Sequence, residues 1–181
     1  QYELVGLYQH SRGVNKGAGE SRNLGIQKSS YQYIAFLDAD DYYCENRFKR
    51  DKEIYSSHPE ADGVYNACEI DDRELADREY VGSDRMYTLS KPVAPSVLPY
   101  ALLQLVPGAR GSLHLNGLTV KRSLALKAGP MSSTLRLHQD TEWINRLAWL
   151  GNLYPGQLDR PRSEERRVGK ECIVKCRSRW S

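Results

Sequence analysis

The chain has 181 residues, 40% hydrophobic and 27% charged, with a formal net charge of +3. One globular domain with a real core fits these numbers. A mean hydropathy of −0.64, with no apolar run near the ~18 residues of a spanning helix, argues against an integral membrane protein. The positive charge does not point to nucleic acid: residues 162–181 hold seven basic and three acidic side chains, leaving 19 basic against 20 acidic in the rest, so no nucleic-acid partner is expected.

In chain order, residues 1–5 show no basic stretch leading into an apolar one, so no secretory leader is expected, and the lack of an initiator Met suggests a trimmed N-terminus. Residues 4–8 form a short β-prone run and are predicted as a strand. Asn15-Lys-Gly17-Ala-Gly19 is a turn signal, followed by a predicted helix over 18–29. The continuous apolar run Tyr33-Ile-Ala-Phe-Leu37 predicts a strand buried on both faces of a parallel sheet. A polar helix is predicted over 45–57, stopped by His58-Pro59, and a strand over 63–67. Residues 71–112 read as loop with a short helix near 100–105. Residues 119–127 read as helix closed by Gly129-Pro130. Residues 140–150 give the strongest helix, with Ile144, Leu147, Ala148 and Leu150 on one apolar face and Gly151 as its cap. Strand–helix alternation makes the class α/β.

Cys44 and Cys68 lack any partner at metal-ligand spacing, and Cys172 and Cys176 lack a second Cys or His pair. Free thiols in a reducing compartment are expected. The segment from Arg162 to Ser181 has no amphipathic period. It resembles the in-frame translation of a DNA sequencing-library adapter. The expected organisation is a domain over 1–161 and a non-native, disordered tail over 162–181, the gene being cut at about Pro161.

Asp38, Asp40 and Asp41 stand where the apolar run 33–37 leaves the sheet, the end of a strand at which open α/β sheets bind ligands. Clustered carboxylates repel, and a cation relieves them. Hard divalent ions take oxygen ligands, Mg²⁺ commonly one or two carboxylates plus substrate phosphates. A solvated acidic turn is the plain alternative. An EF-hand is excluded, because Tyr42 and Tyr43 occupy the positions that need an oxygen ligand and Gly. A phosphatase with Asp38 as nucleophile stays open, although Tyr42 stands where haloacid dehalogenase-like enzymes usually carry Thr or Val.

Two stretches carry a family resemblance. Asn15-Lys-Gly17, Arg22-Asn23-Leu-Gly25-Ile26 and Tyr33-Ile-Ala-Phe-Leu-Asp38-Ala-Asp40-Asp41 resemble the motifs of family 2 glycosyltransferases. Thr119-Val-Lys-Arg122 through Gly129, followed by His138-Gln139-Asp140-Thr141-Glu142, is similar to the family's downstream acidic motif, with Gln139 in place of the usual Glu. The likeness covers roughly residues 2–160. It implies a GT-A-like, Rossmann-like fold: a mostly parallel sheet flanked by helices, here without the family's N-terminal strands and part of its donor pocket. The chain alone is therefore expected to be weak or inactive.

The resemblance also implies an inverting, metal-dependent hexosyltransferase of cell-envelope polysaccharide synthesis. Its donor is a nucleotide-diphosphate sugar and its acceptor a saccharide or lipid-linked hydroxyl. Asp40 would hold Mg²⁺ or Mn²⁺, Asp38 and Arg22 would contact the nucleotide, and Asp140 would be the catalytic base. A helix-surface salt bridge is the plain alternative for Arg22. For Asp140 and Glu142 it is the preference of acids for a helix N-terminus. A cytoplasmic location, with peripheral attachment at the inner membrane face, is part of the same expectation. A non-catalytic carbohydrate-binding module on this fold is the third reading.

Overall fold

The computed structural model describes residues 6–71, 88–89, 91–161 and 163–166. Asn15 Oδ1 accepts from the Gly17 amide at 2.8 Å, and Gly17 takes φ 87°, a turn that suits glycine. Helix α1 follows over Ala18–Lys28 and buries Gly19, Asn23 and Ile26. Strand β1 (Tyr33–Ala35) leads to a short β2 (Tyr42–Tyr43), α2 (Lys49–Ser57), β3 (Gly63–Tyr65) and β4 (Cys68–Asp71). After α3 (Leu98–Leu102) come β5 (Leu118–Lys121), α4 (Arg122–Ala128), α5 (Gln139–Leu150), β6 (Leu153–Pro155) and β7 (Ser163–Arg166).

The main sheet has the order β1-β5-β3-β6. Strands β1 and β3 each pair antiparallel with β5, and β6 pairs parallel with β3. Three of the four strands therefore point the same way, as expected, but β5 runs against them and makes the ladder mixed. A smaller sheet, β2-β7-β4, is antiparallel at β2–β7 and parallel at β7–β4.

Side chains alternate across a strand. Leu118 and Val120 of β5 join Trp143, Ile144, Leu147 and Leu153 in the large core, while Val64 of β3 packs with Ile54 of α2 and Ala61. Helices thus cover the sheet on both faces. Trp143 is 0% exposed, and its indole N–H donates to the Gly129 carbonyl at 2.8 Å, which removes the cost of burying that polar atom.

Several sequence expectations change. The run 33–37 is not buried on both faces. Strand β1 is an edge of the described sheet, Ile34 is buried, and Tyr33 and Leu37 are exposed. The reading of 119–127 as one helix fails at its start, because buried Leu118, Thr119 and Val120 form the central strand and β-branched residues suit a pleated surface. The helix predicted from 45 begins at Lys49. Residues 6–8 of the first predicted strand have no regular structure, with Leu7 87% exposed; its residues 4 and 5 lie outside the described residues. Residues 163–166 are not a disordered tail but a ladder strand between β2 and β4, with Ser163 at 0% exposure. The boundary drawn at 161 therefore does not mark the end of order, and residues 167–181 lie outside the described residues. Cys44 is half-buried and Cys68 is buried, the latter with its Sγ 3.0 Å from Ser163 Oγ. No helix among the described residues is long and apolar enough to cross a membrane.

Buried phenols give the fold an alkaline limit. The Tyr55 hydroxyl donates to the Thr119 carbonyl at 2.9 Å. Burial first, then the nearby Asp51 charge, raise its pKa well above the usual 10, and burial likewise raises that of Tyr43. Unfolded phenols release protons from about pH 10 while these stay protonated, so the unfolded state binds fewer protons and stability falls as pH rises through that range. Denaturant titrations at rising alkaline pH should lose about 1.4 kcal/mol per pH unit for each phenol held neutral; an unchanged midpoint would count against this burial.

Candidate functional site

The acid turn is built by local hydrogen bonds. The Asp41 amide donates to the Asp38 carbonyl at 3.1 Å, and the Tyr43 hydroxyl donates to the Phe36 carbonyl at 2.7 Å, folding β2 back on the exit of β1. The three carboxylates then separate in role. Asp38 receives Arg22 Nη2 at 2.7 and 2.8 Å on its two oxygens, with Arg22 17% and Asp38 39% exposed. Asp41 Oδ2 accepts from Asn116 Nδ2, so it anchors the turn to the 3₁₀ turn Leu115–Gly117. Asp40 is exposed at the tip.

Behind the turn lies a buried polar network that the sequence did not reveal. Arg47 and Asp51, 3% and 2% exposed, form a 2.8 Å ion pair one turn apart. Asp51 also accepts from Asn66 Nδ2 at 2.8 Å and Thr119 Oγ1 at 2.6 Å. Arg47 Nε and Nη2 donate to the Asn116 carbonyl at 3.2 Å. Asn116 is thus gripped through its backbone by Arg47 and grips Asp41 through its side chain. The one local signal was the i,i+4 spacing of Arg47, in the turn before α2, and Asp51, in its first turn; Asn66, Asn116 and Thr119 left no trace in their own neighbourhoods.

Helix α1 connects the acid turn to the second predicted motif. Arg22 reaches Asp38 from one part of it. Asn23 holds Met131 through both backbone groups, at 3.0 and 2.7 Å, and so fixes the segment leading to α5. The Gly19 amide donates to Gln139 Oε1 at 3.1 Å. Asp140, half-buried in the first turn of α5, accepts from the Thr141 amide at 2.8 Å. Asp38, Arg22 and Asp140 therefore sit on one continuous chain of contacts through α1. Glu142 pairs with Arg146 at 2.6 Å, and Arg146 also donates to the Pro130 carbonyl at 2.7 Å, so this acid braces the helix. His138, left-handed at φ 61°, is the residue from which α5 departs.

Among the described residues no three His, Cys, Asp or Glu side chains gather as a metal cage. That is compatible with an ion carried in on phosphates, which asks for only one or two carboxylates, and exposed Asp40 fits such a demand. A groove of about 600 Å³ runs between β1 and α2, with Tyr33, Phe48, Lys52 and Tyr55 in its wall. Asp38, Asp40 and Asp140 do not line it.

Residues 10–94 match the family model of glycosyl transferase family 2. An uncharacterized glycosyltransferase of Haemophilus influenzae is 23% identical over 148 residues, 82% of this chain and 46% of that protein. Another from Rickettsia bellii is 50% identical over 42 residues, 23% of this chain and 6% of that one. Among solved structures, S. aureus TarS 1–349 matches with a TM-score of 0.58 at 16% identity, covering 84% of this chain and 41% of that one. The same TarS fragment in complex with UDP-GlcNAc matches with a TM-score of 0.59 at 16% identity, over 88% and 41%. The chain spans less than half the length of each relative, and at such identities the structural likeness bears on fold alone. Sequence and fold point the same way: residues 10–94 resemble the family 2 glycosyltransferases, and the chain shares the GT-A architecture of the TarS structures.

Proposed function

We propose that the protein transfers a sugar from a nucleotide-diphosphate sugar to an acceptor hydroxyl with inversion at the anomeric carbon. The observation that carries this reading is the Arg22–Asp38 pair at the exit of β1, in which one guanidinium nitrogen reaches both carboxylate oxygens, joined through α1 to the helix turn that bears Asp140. Arg22 is held with further N–H donors to offer to an anionic donor. Asp38 is an acceptor suited to ribose hydroxyls. Asp140 would take the proton of the attacking acceptor hydroxyl as that oxygen displaces the nucleotide diphosphate, and a single direct displacement would invert the centre. Asp40 would hold Mg²⁺ or Mn²⁺, which neutralises charge on the leaving diphosphate when bound. The UDP-GlcNAc complex of the structural neighbour supports the donor class. The acceptor, a saccharide or lipid-linked hydroxyl, and the cytoplasmic, membrane-peripheral location rest on the family alone.

The phosphatase reading is disfavoured by Arg22, which engages both oxygens that an Asp38 nucleophile would need free. In a thermal-shift assay on the full-length protein, UDP with Mn²⁺ at about 100 times its Kd should stabilise by ~2.7 kcal/mol, and Asp40→Ala should abolish the Mn²⁺-dependent part. Equal stabilisation of the variant would remove Asp40 from the metal.

A further inference from the structure

Gln139 lies between the two halves of the proposed site, and neither half explains it. Its Oε1 accepts from the Gly19 amide at 3.1 Å, and its Nε2 donates to the Leu135 carbonyl. The Gly19 amide is among the first N–H groups of α1, which have no partner within the helix. Gln139 supplies that partner across 120 residues of sequence. Gly19 is fitted to the contact: a Cβ added there would come within 2.5 Å of Gln139 Oε1. In this position the amide oxygen has room because residue 19 has no side chain.

Each end of this junction carries one half of the proposed chemistry. Gly19 and Arg22 are three apart on α1, one face of the helix, and Arg22 holds Asp38. Gln139 immediately precedes Asp140 at the start of α5. We infer that Gln139 is a positioning residue, whose bond to the Gly19 amide fixes the proton-accepting Asp140 relative to the Arg22–Asp38 pair that holds the donor. The inference rests on the glycosyltransferase reading. An amide serves both ends because it accepts at Gly19 and donates at Leu135; a carboxylate serves only the first. The Gly19 end sets the register between α1 and α5, and the Leu135 end trims the loop before α5.

Three substitutions in the full-length protein separate these ends. Gln139→Leu keeps the bulk and loses both bonds. Gly19→Ala displaces the flexible amide from the α1 side, while alanine favours the helix, so a loss of folding is not its expected effect. Gln139→Glu keeps the Gly19 bond, charge-assisted and favoured by the helix N-terminus, and loses the Leu135 bond. With UDP-GlcNAc as the probe donor, Gln139→Leu and Gly19→Ala are expected to lower kcat by about 10- to 100-fold, the scale of a ~1 Å misplacement, with donor KM changed by less than about twofold because Arg22 and Asp38 stay in place. Gln139→Glu should keep kcat within about threefold of the wild type.

A wild-type kcat in both Gln139→Leu and Gly19→Ala would overturn the inference. A large loss in Gln139→Glu would shift the effect to the Leu135 end and overturn it equally. Amide hydrogen exchange keeps the test separate from the activity: protection at Gly19 should drop in Gln139→Leu and persist in Gln139→Glu. If the wild type turns over no nucleotide sugar, the functional reading fails, yet the exchange result still decides whether the junction exists.

Discussion

Asp140→Asn is expected to lower the transfer rate by about 10²- to 10⁴-fold, the usual contribution of a positioned general base. Donor-dependent stabilisation should remain. The asparagine keeps the size of the side chain and an oxygen for the Thr141 amide, which now bonds Asp140 at 2.8 Å, so the first turn of α5 should persist. What is lost is the capacity to take a proton. Glu142 supplies the control: it sits in the same first turn but is tied to Arg146 at 2.6 Å. Its replacement by Gln should cost at most the ~0.3–0.5 kcal/mol of a helix pair and little activity. Single-turnover rates with saturating donor separate the two acids. Comparable losses in both variants would mean that acids at this helix start serve the dipole alone, and would remove Asp140 from catalysis.

The largest stability effect is expected at Asp51. Asp51→Ala removes the partner of buried Arg47 and leaves Thr119 Oγ1 and Asn66 Nδ2 without the carboxylate they share. Breaking a buried ion pair from one side costs about 3–5 kcal/mol, because a desolvated charge is stranded. For a chain of this size that is a fall in Tm of roughly 6–20 °C at about 2–4 °C per kcal/mol. The same change reaches the functional site, since Arg47 holds the Asn116 carbonyl and Asn116 holds Asp41. Asp41→Ala, by contrast, removes a half-exposed carboxylate and should cost far less. Differential scanning calorimetry of both variants decides the matter. Equal, small shifts would show that the network behind the acid turn does not carry the fold.

The candidate site was legible in the sequence to the extent that its signals were local. Helix α1 follows a glycine turn, α5 shows its apolar stripe, and the aspartates follow an apolar run, each readable within a dozen residues. The family motifs added the pairing of the two stretches. Local reading erred where tertiary context overrides propensity. Leu118–Lys121 became a central strand because it pairs with both β1 and β3. Strand β1 lost its expected double burial because it lies at the edge of the described sheet.

By itself, the sequence determined the class of elements, the position of the acid turn after a strand, and which residues are proposed to carry the chemistry. Only the tertiary structure decided what each acid touches: Asp38 is given to Arg22, Asp41 to Asn116, Glu142 to Arg146, and Asp40 is left exposed at the tip. The physical reason is sequence separation. Periodicity and capping are set by neighbours within one or two turns, whereas Gly19–Gln139 and Asp41–Asn116 join residues 120 and 75 apart. Such contacts form only after the sheet has brought α1, α5 and the acid turn together, and no local window of sequence records them.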